Sequence, residues 1–425
     1  NVILSHLTLR GGQYLVHAGN GADVDGLRIE MSELDGSSDV VTGQSQYGVY
    51  LYGATNEDAE LVDNRVHGMS NDGVFLYNSP GVLVDGGMYF DNRYGVYLSG
   101  DNSLVQGVEA FGNRSGGLSV TGDGSEVLDN VVHDNDGYGI NGGNDVRVAD
   151  NTVYGHRGSG DFGIQVNGTE AIAENNVTFD NLYGIRVDGG ATAFDNRSYQ
   201  NVEGIRVGSY SGNVLGNVVY ANDVGVSLNT YSNYAPLVEN NVIYKNADTG
   251  LVNSGSAGRI YNNTIYQTSG DAISVLGSAQ NVDIRNNSLS VVEGYAIRVA
   301  DNSQVGFASD YTLFQIGDSG HLGLWAGSDF DERAFWVYTL GFDAHSIVTD
   351  PGFIDPDGPD DILGDAPAQI IDDGGAGFTT TGDWTVHVPG GHEGDALTSS
   401  AGATATWTFD GLAPGRYQVA ATWIP

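Results

Sequence analysis

Two arginines, Arg186 and Arg206, stand twenty residues apart in matching phrases, "YGIRV" and "EGIRV". A guanidinium is planar, permanently charged and able to grip a carboxylate with two parallel hydrogen bonds. Two of them facing the same way would clamp a substrate carboxylate. Tyr183, His156 and Asp161 are near enough in the chain to act as acid or base beside such a clamp. Neutralising the carboxylate, abstracting the adjacent proton and then eliminating or re-protonating is the chemistry of a uronate lyase or epimerase. The competing reading is structural, with Asp188 and Glu203 supplying the counter-charges as salt bridges.

A second set is aromatic. Tyr50, Tyr52, Phe75, Tyr77 and Tyr97 recur at intervals that bring them to one surface if the segments stack. Sugar rings stack on such platforms and partner proteins bury them, unless a loop folds over the face. A third set is the run "DPDGPDD", where Asp355, Asp357, Asp360 and Asp361 gather around a glycine. Several carboxylate oxygens suit a hard cation such as calcium, but the spacing of an EF-hand loop is not met and an acidic solvated loop is the plainer reading of the same residues. No glycine-rich phosphate loop, histidine metal pair or nucleophile elbow occurs, so the sequence implies no other cofactor.

What positions these residues is a repeat. A small residue precedes an aliphatic strand at Gly26, Gly48, Gly73, Gly95, Gly117, Gly139, Gly163, Gly184, Gly204, Gly225, Gly250, Ala272 and Ala296, at a mean step of about 22 residues. The first residue after each anchor is Leu, Val or Ile, and the third is apolar except at Gly142 and Asn253. In a strand, positions one and three share a face and position two lies opposite. The row of second positions, Arg28, Tyr50, Phe75, Tyr97, Ser119, Asn141, Gln165, Arg186, Arg206 and onward, therefore faces outward. An Asn before many anchors, at Asn64, Asn130, Asn151, Asn175, Asn196, Asn217, Asn241, Asn263 and Asn287, predicts an amide ladder from coil to coil. About 13 coils at a strand spacing near 4.8 Å make a rod roughly 60 Å long.

Composition agrees with a folded all-β rod. The chain has 425 residues, 64 Gly, 9 Pro, 40% hydrophobic residues and no cysteine. Asp and Glu number 54 against 16 Lys and Arg, a net charge of -38, which disfavours nucleic acid and anionic membranes as partners. No apolar run is long enough for a membrane helix, so no membrane insertion is expected. Starting inside a strand-like run, the chain reads as a mature product or a piece of something longer.

The period and the "NNTIY" and "GIRV" units resemble the right-handed parallel β-helix proteins, a pectate-lyase-like superfamily, over residues 1–310. The resemblance implies a right-handed solenoid and either a polysaccharide-active enzyme or a non-catalytic surface protein. The paired aspartates of polygalacturonases and the Asp-Pro-His-Glu motif of alginate epimerases are not matched. Residues 311–366, rich in Trp and Phe, are expected to cap the sheet edge. Residues 367–425, with "GFTTTGDWTVHV" and "ATATWTFDGLAPGRYQVAATW", resemble the start of a golvesin-like β-sandwich, too short to be complete alone. The sequence thus favours an extracellular bacterial surface or fibre component, structural or adhesive, with a polysaccharide or surface protein as partner and self-association through the incomplete module. A lyase or epimerase acting on acidic polysaccharide is the alternative.

Overall fold

The computed structural model describes residues 2–19, 22, 24–37, 43–52, 57–231, 234–255, 257–353, 371, 377–387, 396–399 and 403–409. Two compact units divide the chain, Asn1–Ile354 and Asp355–Pro425. The first is an all-β parallel solenoid of about 13 turns, with one short helix, Arg333–Leu340, among the described residues. Asp355, Asp357, Asp360 and Asp361 lie outside the described residues.

Each coil carries three short strands, as in Glu60–Val62, Arg65–His67 and Val74–Tyr77. Within the repeat, successive coils pair strand to strand in parallel, giving three faces. The first face begins at Ile3–Ser5 and ends at Ala308–Asp310, as a sheet of 14 strands. The second begins at Thr8–Arg10 and the third at Tyr14–Ala18. These two merge into one ladder where Ser288–Val299 and Leu313–Trp325 run unbroken around the corner.

The third face holds the anchor strands, and from Gly48 onward the expected alternation is met. Val49, Val74, Val96, Leu118, Ile140, Ile164, Ile185 and Ile205 stack in register and are fully buried. Each adds its aliphatic area to one continuous core, so the apolar demand repeats every coil. The first anchor is a correction. Leu27 to Ile29 belong to the first face, where Arg28 pairs with Ile3 and Glu60. The true predecessor of Val49 on the third face is Val16, and Tyr14 and His17 come with it. The error has a physical origin: all three faces need buried aliphatics in alternation, so a lone "GLRI" fits any of them.

Corners between faces explain the paired amides of the sequence. A left-handed residue turns the chain, and Asp or Asn serves because its short polar side chain tolerates that region. Asp63, Asp129, Asp150, Asn175, Asp195, Asn240, Asn262 and Asn286 have φ between 50° and 60°. The next residue enters the core as the ladder amide. Asn175 is therefore the turn residue, and the ladder member is Asn176, buried, whose own N–H and Nδ2 both donate to Oδ1 of Asn196 at 2.9 Å. A second ladder, five residues further on in most coils, lines the corner between the second and third faces. Asn92, Asn113, Asn135, His156, Asn181, Asn201, Asn222 and Asn246 pass hydrogen bonds along it, and Gln267 accepts from Asn246 at 2.9 Å.

Outside these corners runs a stack of rings. His67, Phe90, Phe111, His133, Tyr154, Phe179, Tyr199, Tyr220 and Tyr244, the third residues of successive second-face strands, lie nearly parallel at centroid distances of 4.7–5.3 Å.

After the repeat, Gly323 occupies the rung beyond Ile297. A Cβ there would come within 2.5 Å of the Trp336 indole, which fills the missing aliphatic volume from the helix. Trp336 is fully buried and donates from Nε1 to Oδ2 of Asp343 at 2.9 Å. The core thus ends on an aromatic plug. In the second unit, Phe378–Thr381 pairs antiparallel with Thr404–Trp407, and Trp384–His387 with Ala396–Ser399. The expected last strand, at 416–423, lies outside the described residues.

Candidate functional site on the third face

The outward row of the third face reads His17, Tyr50, Phe75, Tyr97, Ser119, Asn141, Gln165, Arg186, Arg206 and Ser227 in consecutive coils. A parallel in-register sheet puts one such side chain every 4.8 Å or so. The face is therefore aromatic at its N-terminal end, amide and hydroxyl in the middle, and charged beyond.

At the aromatic end the structure brings Tyr50, Phe75 and Tyr97 together as predicted from spacing. Their rings stack at 5.2 and 5.1 Å with planes 12° apart. Stacked in this way, each ring covers its neighbour's face and turns its edge to solvent. Tyr14 and Tyr47 extend the cluster, with centroids 4.9 and 4.7 Å from Tyr50. Sequence reading missed both, because they sit two positions before the buried aliphatic rather than one after it. Tyr52 and Tyr77 lie 5.3 Å apart, each also stacked beside Tyr50 or Phe75 at 6.2 and 6.4 Å, and are the most open of the set at 44% and 37% exposed.

Further along, Gly116 makes room for a ring: a Cβ on it would lie 2.6 Å from Tyr138. Tyr138 stacks on Phe162 at 5.3 Å. Tyr183 is the next in this flanking row, in register with Phe162 and Glu203.

The charged end departs from a substrate clamp. Arg186 and Arg206 are in register on adjacent coils, but each has its own carboxylate. Nη2 of Arg186 lies 3.4 Å from Oδ2 of Asp188, and Nη1 of Arg206 lies 2.8 Å from Oε1 of Glu203. Arg206 also lies over the Tyr183 ring at 4.7 Å, and Glu203 accepts from Ser227 as well. Like charges in adjacent rungs repel, and two internal carboxylates relieve that repulsion. This is the salt-bridged arrangement.

The acid and base candidates are dispersed. Tyr183 is packed under Arg206. His156 is fully buried in the second ladder, with Nδ1 3.0 Å from Oδ1 of Asn181 and Nε2 3.1 Å from Nδ2 of Asn135. Burial pushes its pKa down to about 4, against the hydrogen bond to Asn181 and the charge of Asp134, which raise it. An imidazole enclosed in this way meets no substrate. Asp161 closes a short turn on the carbonyl of Gly158. Burial and the charge of Asp136 raise its pKa, although the backbone of Gly158 opposes this. Among the described residues no group of three or more His, Cys, Asp or Glu side chains is placed to hold a metal ion.

The family model for a right handed beta helix region matches residues 16–162 and 162–310. No curated protein gives a sequence match. Among solved structures, the A-module of the Azotobacter vinelandii mannuronan C-5 epimerase AlgE6 is similar at 14% identity and a TM-score of 0.48, covering 78% of this chain and 92% of that one. The Dettilon tailspike protein is similar at 13% identity and a TM-score of 0.49, covering 82% and 70%. The A-module of the epimerase AlgE4 from the same bacterium gives 14% and 0.41 over 78% and 91%. At these identities the likeness is one of fold. With the matched model spanning most of the three-faced rod, the chain belongs to the right-handed β-helix family.

Proposed function

We propose that this protein is an extracellular structural or adhesive component of a bacterial surface or fibre, and that it holds a polysaccharide against the aromatic end of its third face. One observation carries the reading: Tyr52 and Tyr77 are the most exposed rings of a continuous aromatic cluster, beside the phenol groups of Tyr14, Tyr47 and Tyr50. An uncovered ring face accepts the C–H face of a pyranose, and phenol hydroxyls exchange hydrogen bonds with sugar hydroxyls. The net charge of -38 favours a neutral polysaccharide over a polyuronate. Self-association through the second unit and a calcium ion at 355–361 belong to the same proposal and rest on the sequence alone.

Affinity electrophoresis in gels containing neutral or acidic polysaccharides tests the contact. The wild type is expected to be retarded by at least one neutral polymer, and Tyr52→Ala with Tyr77→Ala to abolish most of the retardation while leaving the circular dichroism spectrum intact. Equal retardation of wild type and variant would remove this face from the reading.

A further inference from the structure

Tyr52 closes the strand Tyr47–Tyr52, Tyr77 closes Val74–Tyr77, and the two are partners in the parallel register of the third face. They are twenty-five residues apart in the chain and one coil apart in space. Their ring centroids lie 5.3 Å apart with planes 24° apart, and both side chains are exposed. The paired strands hold the two backbones at a fixed spacing, while solvent on the outer side leaves the rings room to turn about their side-chain torsions.

The chain has 23 tyrosines, no cysteine and a single lysine, Lys245. A disulfide cannot form, and an amide cross-link through lysine has one point of origin. Coupling of phenols is the covalent chemistry that this composition leaves for tying one coil to the next.

Spacing alone does not single out the pair. Tyr199, Tyr220 and Tyr244 stack on the second face at 5.0 and 4.9 Å, with planes 8° and 3° apart. The Tyr220 hydroxyl is buried without a hydrogen-bond partner among the described residues, and burial holds all three phenols above the usual tyrosine range. A ring sandwiched between its neighbours cannot turn an edge toward them, and an enclosed phenol has no water to take its proton. Burial raises Tyr47 and Tyr50 in the same way. Tyr52 and Tyr77 combine contact with access.

We infer that Tyr52 and Tyr77 form an oxidative cross-linking site, at which a one-electron oxidant of the haem-peroxidase class, fed by hydrogen peroxide, joins two adjacent coils as dityrosine. Each phenol loses one electron and its hydroxyl proton. The two radicals join through the carbons ortho to oxygen, and each of those carbons passes its hydrogen to the oxygen beside it. Two C–H bonds are thus exchanged for one C–C bond, and the two electrons and two protons reduce one peroxide to two waters. The link closes the intervening chain into a ring and restricts the unfolded state as a disulfide would. It needs no ligand on the rings and stands whether or not they bind a polysaccharide.

The test treats the full chain with a plant haem peroxidase and hydrogen peroxide, dilute enough to keep molecules apart, followed by digestion and mass spectrometry. The expected product is a peptide pair joined through Tyr52 and Tyr77 and lighter by two hydrogens, with dityrosine fluorescence, from protein that stays monomeric on a denaturing gel. Tyr52→Phe keeps the ring and loses the phenol, so it should lack this pair, and only the wild type should gain in urea midpoint after oxidation. Absence of the pair, while N-acetyltyrosine added to the same tube is coupled, overturns the site. So does coupling among Tyr199, Tyr220 and Tyr244 in equal yield, which would make spacing rather than access decisive, or linkage found only between molecules.

Discussion

Asn135 donates from Nδ2 to Nε2 of His156 across 3.1 Å, so the histidine occupies a place that an asparagine holds in the coils on either side. The imidazole hands the bond on from Nδ1 to Oδ1 of Asn181, which fixes its neutral tautomer with the proton on Nδ1. His156→Asn should restore an unbroken amide ladder and leave stability within about 1 kcal/mol of wild type at pH 7, whereas His156→Ala strands two amides and should cost about 2 kcal/mol. Urea unfolding midpoints decide between these outcomes.

The same residue gives the rod an acid limit. Its folded pKa of about 4 lies below the unfolded value near 6.5. The unfolded chain therefore binds a proton first as pH falls, and the contribution present above pH 6.5 is lost progressively down to about pH 4. The loss amounts to about 3 kcal/mol over that window. In His156→Asn this part of the pH dependence should flatten, and an unchanged slope would show that the histidine does not set it.

His133 behaves in the opposite sense. Burial alone would lower its pKa, but hydrogen bonds to Asp134 and Glu109 outweigh that and raise it to about 9. It is charged at neutral pH between the rings of Phe111 and Tyr154, at 5.2 and 4.9 Å. Its contribution is complete below pH 6.5 and is lost as pH rises through 9. Nuclear magnetic resonance titration of the imidazole should show the high value, and Asp134→Asn should bring it down by about one unit or more.

Glu203→Gln should expose the strain between Arg186 and Arg206. With one counter-charge removed, two cations remain in register and stability should fall by about 1 kcal/mol. The paired state also predicts that wild-type protein releases no unsaturated uronate, followed as near-ultraviolet absorbance, from a panel of acidic polysaccharides. Release that disappears in Arg186→Ala would restore the substrate clamp.

The ring stack on the second face should prove a structural element rather than a surface. Phe179→Ala interrupts it midway and should cost about 2 kcal/mol. Phe194→Ala, on an exposed ring of the first face, should stay within about 0.5 kcal/mol.

Much of this was legible in the chain. The aliphatic rungs from Val49 to Ile297 follow from alternation, because only a shared core demands Leu, Val or Ile at one position in every coil. The ion pairs of Arg186 and Arg206 were legible too, since like charges on neighbouring rungs require partners. Register at the corners was not. Asn175 and Asn176 are identical in type, and only backbone φ shows which one turns and which one enters the core. His156 looked reactive because its histidine identity stands out, while its position, one residue after the left-handed Gly155, is that of a ladder amide. The tyrosines at 14 and 47 were hidden by their place on the strand, and the face-to-face stacking of the aromatic row is a property of ring torsions that no spacing encodes.

The amide ladders make each coil answer only to the one before and the one after. A segment of whole-coil length can therefore be copied or excised and the flanking bonds will meet again, while the loops absorb small differences in coil length, as where steps of 20, 21 and 25 residues all keep Ile185, Ile205, Val226 and Leu251 on one rung line. The near-identical "YGIRV" and "EGIRV" coils have the form such duplication leaves behind. Length along the axis is thus the dimension in which this architecture is free to evolve.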